Sequence, residues 1–331
     1  MSPAKLPSTA VNTLTSHTGP VNAISYSSLG GTYILTGSSD RQVHLSRSEP
    51  TNPEKPSGAI QKYAAHGYAV LDIAVSHDNQ TFASVGGDRS VFLWDVQNAD
   101  GTVRRFGSNT NQGHTSRITC VAFAGDGDGV IVSGSDDRTL RLWDVKSRDA
   151  KPLLVLEEAK DGVSSLLVPD NGYEIVAGSI DGRLRGYDVR MGRVTVDVQP
   201  GPVTSLDLSR DGKTILVGCL DGRIRMMDRT DGTCLRAFPP EGNAEGYLND
   251  GLRLKSCFAV NESLVLSGSE ADGKVHGWDV LSGKNIGSID LNKNRKVISV
   301  VKWREGSQAQ GRQGLLAAGG ADGVVKVYSQ G

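Results

Sequence analysis

The segment GSDDRTLRLWD, from Gly134 to Asp144, decides the fold of this chain. A small residue opens it, Asp137 lies where a turn is expected, and alternating side chains then lead to Trp-Asp. Related segments occur six more times, and they end at Ser46, Asp95, Asp188, Asp228, Asp279 and Ser329. The seven turn acids are spaced by 48, 49, 44, 40, 51 and 50 residues, and they are Asp40, Asp88, Asp137, Asp181, Asp221, Asp272 and Asp322. A regular period of this size predicts a repeat architecture.

The third repeat shows the strand pattern most clearly. Leu140 and Leu142 alternate with Arg141, which is the period-2 signal of a strand with two unlike faces. We expect strands at 117–123, 130–133 and 139–144, and a fourth, outermost strand at 152–156 supplied by the following repeat. Each repeat therefore predicts a small four-stranded sheet.

An upstream histidine completes the repeat. His17, His66 and His114 lie 23, 22 and 23 residues before their turn acids, and the last two have a glycine neighbour. This Gly-His to Trp-Asp spacing resembles the WD-repeat family. The resemblance covers about residues 11–329 and implies an all-β fold, a single seven-bladed propeller with four antiparallel strands per blade. It also implies that the N-terminal strand, near 11–15, closes the ring on the last blade.

The domain organisation follows from this resemblance. We expect a short flexible segment at residues 1–10 and one propeller at 11–331. Four stretches interrupt the repeat and are predicted to be loops, namely 47–58, 98–113, 239–251 and 304–314. They fit tolerated insertions, although loops also carry function in many proteins.

Composition restricts the classes of function. The formal net charge is −1, so we expect no direct sequence-specific binding of nucleic acid. The four cysteines show no CxxC pairing, which favours reduced thiols over a disulfide or metal site. No apolar run approaches ~20 residues and the N-terminus has no signal-like apolar stretch, so we expect no membrane association. We predict a cytoplasmic or nuclear monomer without a cofactor.

Two polar sets could be mistaken for catalytic triads. They are His66, Ser84, Asp88 and Trp94, and His114, Ser133, Asp137 and Trp143. A hydrolytic triad is needed only once, whereas degraded copies of this set recur along the chain. The family resemblance implies that each set is a structural hydrogen-bonded chain, because buried polar groups must find partners. We predict no catalytic residue.

Two surfaces are candidates for binding partners. In propellers of this type, one end exposes the residue before each innermost strand and the residue before each turn acid. This rule selects Arg117, Arg253, Lys296, Asp136, Ile180 and Leu220. A second candidate is a basic patch for an acidic or phosphorylated partner, formed by Arg183, Arg185, Arg223 and Arg225. The alternative for this second group is an ordinary solvated strand face.

Two stretches narrow the resemblance within the family. Residues 66–96, with HGYAVLD, and residues 157–192, with DGVSS and GSIDGRLRGYDVRMG, resemble the mitogen-activated protein kinase organizer (Morg) type. This implies a non-catalytic scaffold that assembles kinase-module components, in a type also associated with the spliceosome and pre-mRNA splicing. A different hypothesis comes from Tyr187-Asp188-Val189-Arg190, which resembles the Trp-Asp-x-Arg motif of substrate receptors of cullin-type ubiquitin ligases.

Overall fold

A computed structural model describes residues 5–28, 30–51, 58–107, 112–169, 172–239, 246–291, 296–306 and 311–330. Within these ranges the only helical segment is a 3-10 turn at Asp126–Asp128, and no helix is long and apolar enough to span a bilayer. The strands are, in chain order, β1 (Thr9–Leu14), β2 (Val21–Tyr26), β3 (Tyr33–Ser38), β4 (Val43–Arg47), β5 (Gln61–Tyr63), β6 (Val70–Val75), β7 (Thr81–Gly86), β8 (Val91–Asp95), β9 (Arg104–Phe106), β10 (Ile118–Ala124), β11 (Val130–Ser135), β12 (Leu140–Asp144), β13 (Leu154–Leu156), β14 (Val163–Leu167), β15 (Glu174–Ser179), β16 (Arg183–Asp188), β17 (Arg193–Val198), β18 (Val203–Leu208), β19 (Thr214–Cys219), β20 (Arg223–Asp228), β21 (Cys234–Phe238), β22 (Ser256–Ala259), β23 (Leu264–Gly268), β24 (Lys274–Asp279), β25 (Asn285–Asp290), β26 (Ile298–Arg304), β27 (Leu315–Gly320) and β28 (Val325–Ser329).

The strands form seven four-stranded antiparallel sheets, which we number as blades 1 to 7. Blades 1 to 6 are β2–β5, β6–β9, β10–β13, β14–β17, β18–β21 and β22–β25, and blade 7 has the order β26, β27, β28, β1. The first strand of each blade is innermost and contacts the first strands of the two neighbouring blades, including β2 with β26. The predicted all-β, seven-bladed propeller is therefore confirmed.

The ring is closed by the N-terminal strand, as predicted. β1 pairs antiparallel with β28, with Leu14 opposite Val325 and Asn12 opposite Val327. The strand begins at Thr9, two residues before the expected start of the propeller at residue 11. Leu6 packs against the core between blades 6 and 7. Residues 1–4 of the segment that we expected to be flexible lie outside the described residues.

The hydrophobic core is divided among the seams between neighbouring blades. Between blades 1 and 2, for example, Leu35 and Val43 pack with Val70, Phe82 and Trp94. Trp94 is fully buried, and truncating a buried tryptophan to alanine typically costs about 3–5 kcal/mol. Each blade therefore depends on its neighbours for stability, and a closed ring leaves no seam open.

A bulge in six of the innermost strands joins the blades around the central channel. In β2, for example, the register skips Asn22 between Val21 and Ala23. The bulged residue points away from its own ladder. Four bulged side chains donate a hydrogen bond to the backbone carbonyl that begins the next blade, and the pairs are Asn22 to Val70, Thr119 to Val163, Ser164 to Val203 and Ser299 to Val21.

One predicted loop was wrong in part. Residues 98–113 include the outermost strand of blade 2, β9, and Phe106 in this strand is fully buried opposite Val91. The strand β9 has only three residues, and two of them are arginines. It is therefore too short and too polar to show the alternation of apolar and polar side chains that predicts a strand. In the third predicted loop, 239–251, Tyr247 is buried with its ring 5.1 Å from that of Trp278. Residues 52–57, 108–111, 240–245 and 307–310 of the predicted loops lie outside the described residues.

The cysteines are free thiols. Cys120, Cys219 and Cys257 are buried, and Cys234 is exposed. Burial raises the pKa of Cys120 and of Cys219 to about 12, so both remain neutral and act as packing groups. Within the described ranges, no group of three or more His, Cys, Asp or Glu side chains is arranged to hold a metal ion.

Candidate partner-binding face

The polar set of blade 3 is a continuous hydrogen-bonded chain from a surface turn to the core. His114 joins Asp137 through Nδ1 at 2.9 Å and Ser133 through Nε2 at 2.8 Å. The indole N–H of Trp143 donates to the same Ser133 hydroxyl at 2.8 Å. In blade 2 the corresponding distances are 2.5 Å for His66 to Asp88, 2.7 Å for His66 to Ser84 and 2.8 Å for Trp94 to Ser84.

The protonation states suit a structural role for this chain. Burial lowers the pKa of His114, with partial opposition from Asp137, so the imidazole is neutral and its Nδ1–H donates to the carboxylate. Burial disfavours the charged form of Asp137, but hydrogen bonds from His114, Thr139 and Thr115 outweigh it and hold its pKa well below the usual range. The Ser133 hydroxyl then donates to Nε2 and is fully buried. A substrate has no access to it.

Three blades without the upstream histidine replace it with a residue four positions after the turn acid. In blade 4, Arg185 makes a bidentate ion pair with Asp181, with distances of 3.2 and 2.6 Å. In blade 5, Arg225 pairs with Asp221 in the same way. In blade 6, His276 Nε2 lies 2.9 Å from the Asp272 carboxylate. The same acid is therefore bound from a different strand.

This substitution corrects the second candidate surface. Arg185 and Arg225 are buried, so they are part of neither an exposed basic patch nor a solvated strand face. Arg183 and Arg223 remain half-exposed at the start of the third strand of their blades. A period-2 pattern correctly placed each pair on one face, but it could not show that the second arginine of each pair is buried.

Three of the residues chosen for the first surface meet at one end of the ring. We call this end, where the turn acids lie, the end face. Arg117 and Asp136 both belong to blade 3 and form an ion pair. Arg253, which precedes the innermost strand of blade 6, reaches across the central opening to Asp136 with an N–O distance of 2.9 Å. Arg117 remains 59% exposed and available to a partner.

The other three residues chosen for the first surface differ in how close they lie to this ion-pair cluster. A Cβ built on Gly162 would lie 2.9 Å from the Asp136 carboxylate and 3.3 Å from Ile180, so Ile180 borders the cluster. Leu220 occupies the equivalent turn of blade 5 and is half-buried. Lys296 is exposed at the start of blade 7, which neighbours the blade of Arg253. The structure does not bring Lys296 into the ion-pair cluster.

Sequence reasoning missed three exposed apolar residues on the end face. Tyr68 precedes β6 and is 65% exposed, and its Cβ covers Gly87 in the adjacent turn. Leu248 and Leu252 are exposed where the chain enters blade 6, next to Arg253. The selection rule considered only one residue before each inner strand. An apolar side chain two to four residues before a strand and beside glycine was the signal that could have found Tyr68 and Leu252.

The channel behind the end face is polar. It contains a cavity of ≈ 410 Å³ whose lining includes several serine and threonine hydroxyls. Two more ion pairs cross it, Lys255 with Asp72 at 2.5 Å and Lys302 with Asp207 at 3.2 Å. The Asp207 charge raises the pKa of Lys302. The side chains neutralise each other in pairs, so the channel adds rigidity to the ring without an unbalanced charge at either pair.

Comparison with protein families agrees with this architecture. The family model described as "WD domain, G-beta repeat" matches residues 8–45, 58–95, 107–144, 150–188 and 194–228. This chain belongs to the WD-repeat family. Four of these five WD repeats include the outermost strand of the preceding blade at their start, as expected from the third repeat, and the match at 107–144 begins directly after that strand, β9. Blades 6 and 7 have the same strand order, although the matched residues include only β1 of blade 7 and no strand of blade 6.

Two similar WD-repeat proteins match this chain over most of their own length, and a third matches it over about half. WD repeat domain-containing protein 83 of Homo sapiens is 40% identical over 281 residues, which are 85% of this chain and 82% of that protein. Its homolog in Dictyostelium discoideum is 28% identical over 307 residues and covers 85% of this chain and 88% of that protein. Autophagy-related protein 16 of Arabidopsis thaliana is 31% identical over 307 residues, 90% of this chain but only 54% of that protein.

Proposed function

We propose that this WD-repeat protein is a scaffold that assembles protein partners, and that one partner binds the end face. The observation that carries the proposal is the cluster of Arg117, Asp136 and Arg253 across the mouth of the channel. Asp136 fixes both arginines in place, so a partner does not need to order them on binding. Exposed Arg117 lies in the same face as exposed Tyr68, and aromatic residues and arginine are enriched where proteins bind each other.

The composition of this face suggests what the partner offers. Arg117 and Lys296 are exposed cations, whereas Asp136 is already paired with two arginines. Leu248, Leu252 and Tyr68 supply apolar area on the same end. An acidic segment with one or two large apolar side chains is therefore the best match.

The partners that we propose are components of a mitogen-activated protein kinase module, in keeping with the organizer-type segments of the sequence. Human WD repeat domain-containing protein 83 is similar over most of this chain. This similarity supports a shared scaffold function, but it does not identify a partner. A scaffold raises the effective concentration of the proteins it binds without any chemistry of its own. We place this work in the cytoplasm, the nucleus or both, and a splicing complex is the alternative assembly.

The test is affinity purification with mass spectrometry of the wild-type chain and a charge-reversed variant, Arg117→Glu with Lys296→Glu. These positions lie outside the seams between blades, so the melting temperature should be unchanged. The matched control is Lys146→Glu with Lys284→Glu, which makes the same change in charge on exposed turns at the opposite end of the ring. Exposed charges are screened beyond about 8 Å at physiological ionic strength, so wild-type binding should also weaken with added salt.

The outcomes separate the hypotheses. Loss of kinase-module proteins from the end-face variant alone supports the proposal. Recovery of splicing factors, or of a cullin-ligase adaptor, in place of kinase-module proteins would replace the assembly that we propose. Loss of partners only from the opposite-end control would show that the wrong face was chosen. For the ligase hypothesis, Arg190 lies over the ring of Tyr173 at 4.2 Å, and this contact must break before the guanidinium can bind a partner.

A further inference from the structure

The outermost strand of blade 4, β17, differs from the other outermost strands of the ring. Those of blades 1, 2 and 3 (β5, β9 and β13) have only three residues each. Those of blades 5, 6 and 7 are interrupted by a bulge in their pairing. β17 is six residues long and pairs with β16 in unbroken register. Short or bulged edges resist pairing with another strand, whereas a long regular edge is a template for it.

The two faces of β17 are also reversed relative to the other blades. In five of the other blades the outermost strand places a buried apolar side chain against the third strand, for example Tyr63 opposite Val43 and Phe238 opposite Ile224, and in blade 3 the half-buried Leu156 takes this position. In blade 4 the corresponding residue is the exposed Asp197. A shift of one residue moves every side chain to the other face.

The valines of β17 are consequently exposed in a row. Val194, Val196 and Val198 are 40%, 49% and 73% exposed. Val194 is opposite Tyr187, which packs in the seam between blades 3 and 4, so the valine face is turned toward blade 3. Leu154 in β13 is exposed and opposite Leu142 of the same seam. The outer end of this seam is therefore an apolar strip beside an unpaired strand edge.

The sequence of β17, Arg-Val-Thr-Val-Asp-Val, is complementary to itself in antiparallel orientation. If two copies pair with Thr195 on the two-fold axis, Arg193 lies opposite Asp197 of the second copy, and Asp197 opposite Arg193. Val194 then lies opposite Val196 on the apolar face, and the two Thr195 residues face each other. Opposite charges, β-branched pairs and threonine pairs are the favourable cross-strand combinations.

We propose that β17 is a self-association edge, and that two copies of this chain pair through it to form a continuous eight-stranded sheet. This departs from the monomer expected from the sequence. Edge pairing over five residues buries less than the ~1,200 Å² of a standard interface, so the dimer is weak, with a dissociation constant on the order of 10–100 μM. It would present two end faces in one particle and so increase the avidity of a scaffold. The inference does not depend on the proposed function of the end face.

Sedimentation velocity of the full chain from about 1 to about 300 μM tests the proposal. The wild type should shift from monomer to dimer over this range. Each single variant, Asp197→Arg or Arg193→Asp, places like charges at both 193–197 pairs of the dimer. It should therefore raise the dissociation constant about tenfold or more. The double variant, Arg193→Asp with Asp197→Arg, restores complementarity and should return to within about threefold of the wild type. Lys62→Asp on the exposed face of β5 is the matched control and should change nothing.

Crosslinking tests the register directly. On a Cys234→Ser background, which removes the exposed native thiol, Thr195→Cys should give a covalent dimer with a short bismaleimide, whereas Ser288→Cys on β25 should not. If the wild type stays monomeric throughout the concentration range, the proposal is overturned. An extended segment of another protein would then be the candidate to pair with the edge of β17. Dimerisation unaffected by either single charge reversal, a folded double variant that does not recover, or equal crosslinking at Ser288 would each refute this edge and register.

Discussion

Asp137→Ala is the sharpest test of how the blades are stabilised. The Asp137 carboxylate accepts hydrogen bonds from His114 Nδ1 at 2.9 Å, the Thr115 N–H at 2.9 Å, the Thr139 hydroxyl at 2.7 Å and the Thr139 N–H at 3.0 Å. Alanine removes the acceptor while His114 stays buried, so its ring N–H loses its partner. The indole of Trp143 remains at the other end of the same chain.

The expected loss follows from these contacts. A hydrogen bond to a charged acceptor contributes about 1.5–3 kcal/mol, and a buried donor left unpaired adds a desolvation cost. The threonine groups lie nearer the surface and can bind water instead, so we expect a total loss of about 3 kcal/mol. At ~2–4 °C per kcal/mol for a chain of this size, the melting temperature should fall by about 6–12 °C.

Thermal and urea unfolding, followed by circular dichroism and tryptophan fluorescence, measure this loss. The matched control is Asp40→Ala in blade 1, where Asp40 binds His17 at 2.8 Å and two backbone N–H groups, and Ser46 replaces the tryptophan. Asp40 accepts one hydrogen bond fewer than Asp137, and the series of hydrogen-bonded side chains in blade 1 lacks the tryptophan. The Asp40→Ala variant should therefore lose less stability than Asp137→Ala. An Asp137→Ala loss that equals or falls below that of Asp40→Ala would refute the reasoning.

Three further predictions concern the ring and its polar sets. Deleting residues 1–16 should lower the melting temperature and increase aggregation, because the edge of β28 is uncovered; an unchanged melting curve would contradict this. In a double-mutant cycle of Asp181→Ala and Arg185→Ala, we expect coupling of about 1–3 kcal/mol, and additive losses would exclude a buried pair. The pKa of His114 is lower in the folded chain than in the unfolded chain, so the unfolded chain binds a proton at a higher pH. The free energy of unfolding, measured by urea titration, should therefore decrease as the pH falls below about 6.5. In His114→Gln this decrease should be less steep.

Local signals made most of the fold predictable. Six of the seven turn acids accept a hydrogen bond from a backbone N–H two residues later, as Asp137 does from Thr139 and Asp181 does from Arg183. Such a turn is encoded within a few residues and needs no distant partner. The alternation of Leu140, Arg141 and Leu142 is local in the same way. Seven copies of these signals predicted the number of blades, and the resemblance to the WD-repeat family implied the closing strand.

The candidate site was predictable only in part, because burial depends on how blades stack. Arg185 and Arg141 both lie four residues after a turn acid, and both are buried, whereas the sequence alone presented Arg185 as a surface residue. Period-2 alternation assigns a side chain to a face of its own sheet. It does not say whether that face meets solvent or the next blade. The reversed face of β17 escaped detection for the same reason.

The sequence by itself determined the repeats and their turns, and its resemblance to the WD-repeat family implied the closure of the ring and the positions where an end face can carry charge. Only the tertiary structure decided which of those charges meet. Arg253 and Asp136 are 117 residues apart in the chain and lie on blades three places apart in the ring. Their distance is set by the diameter of the closed propeller, which results from seven seams packing at once. No local sequence pattern predicts the diameter of the propeller, because the diameter is a property of the whole ring.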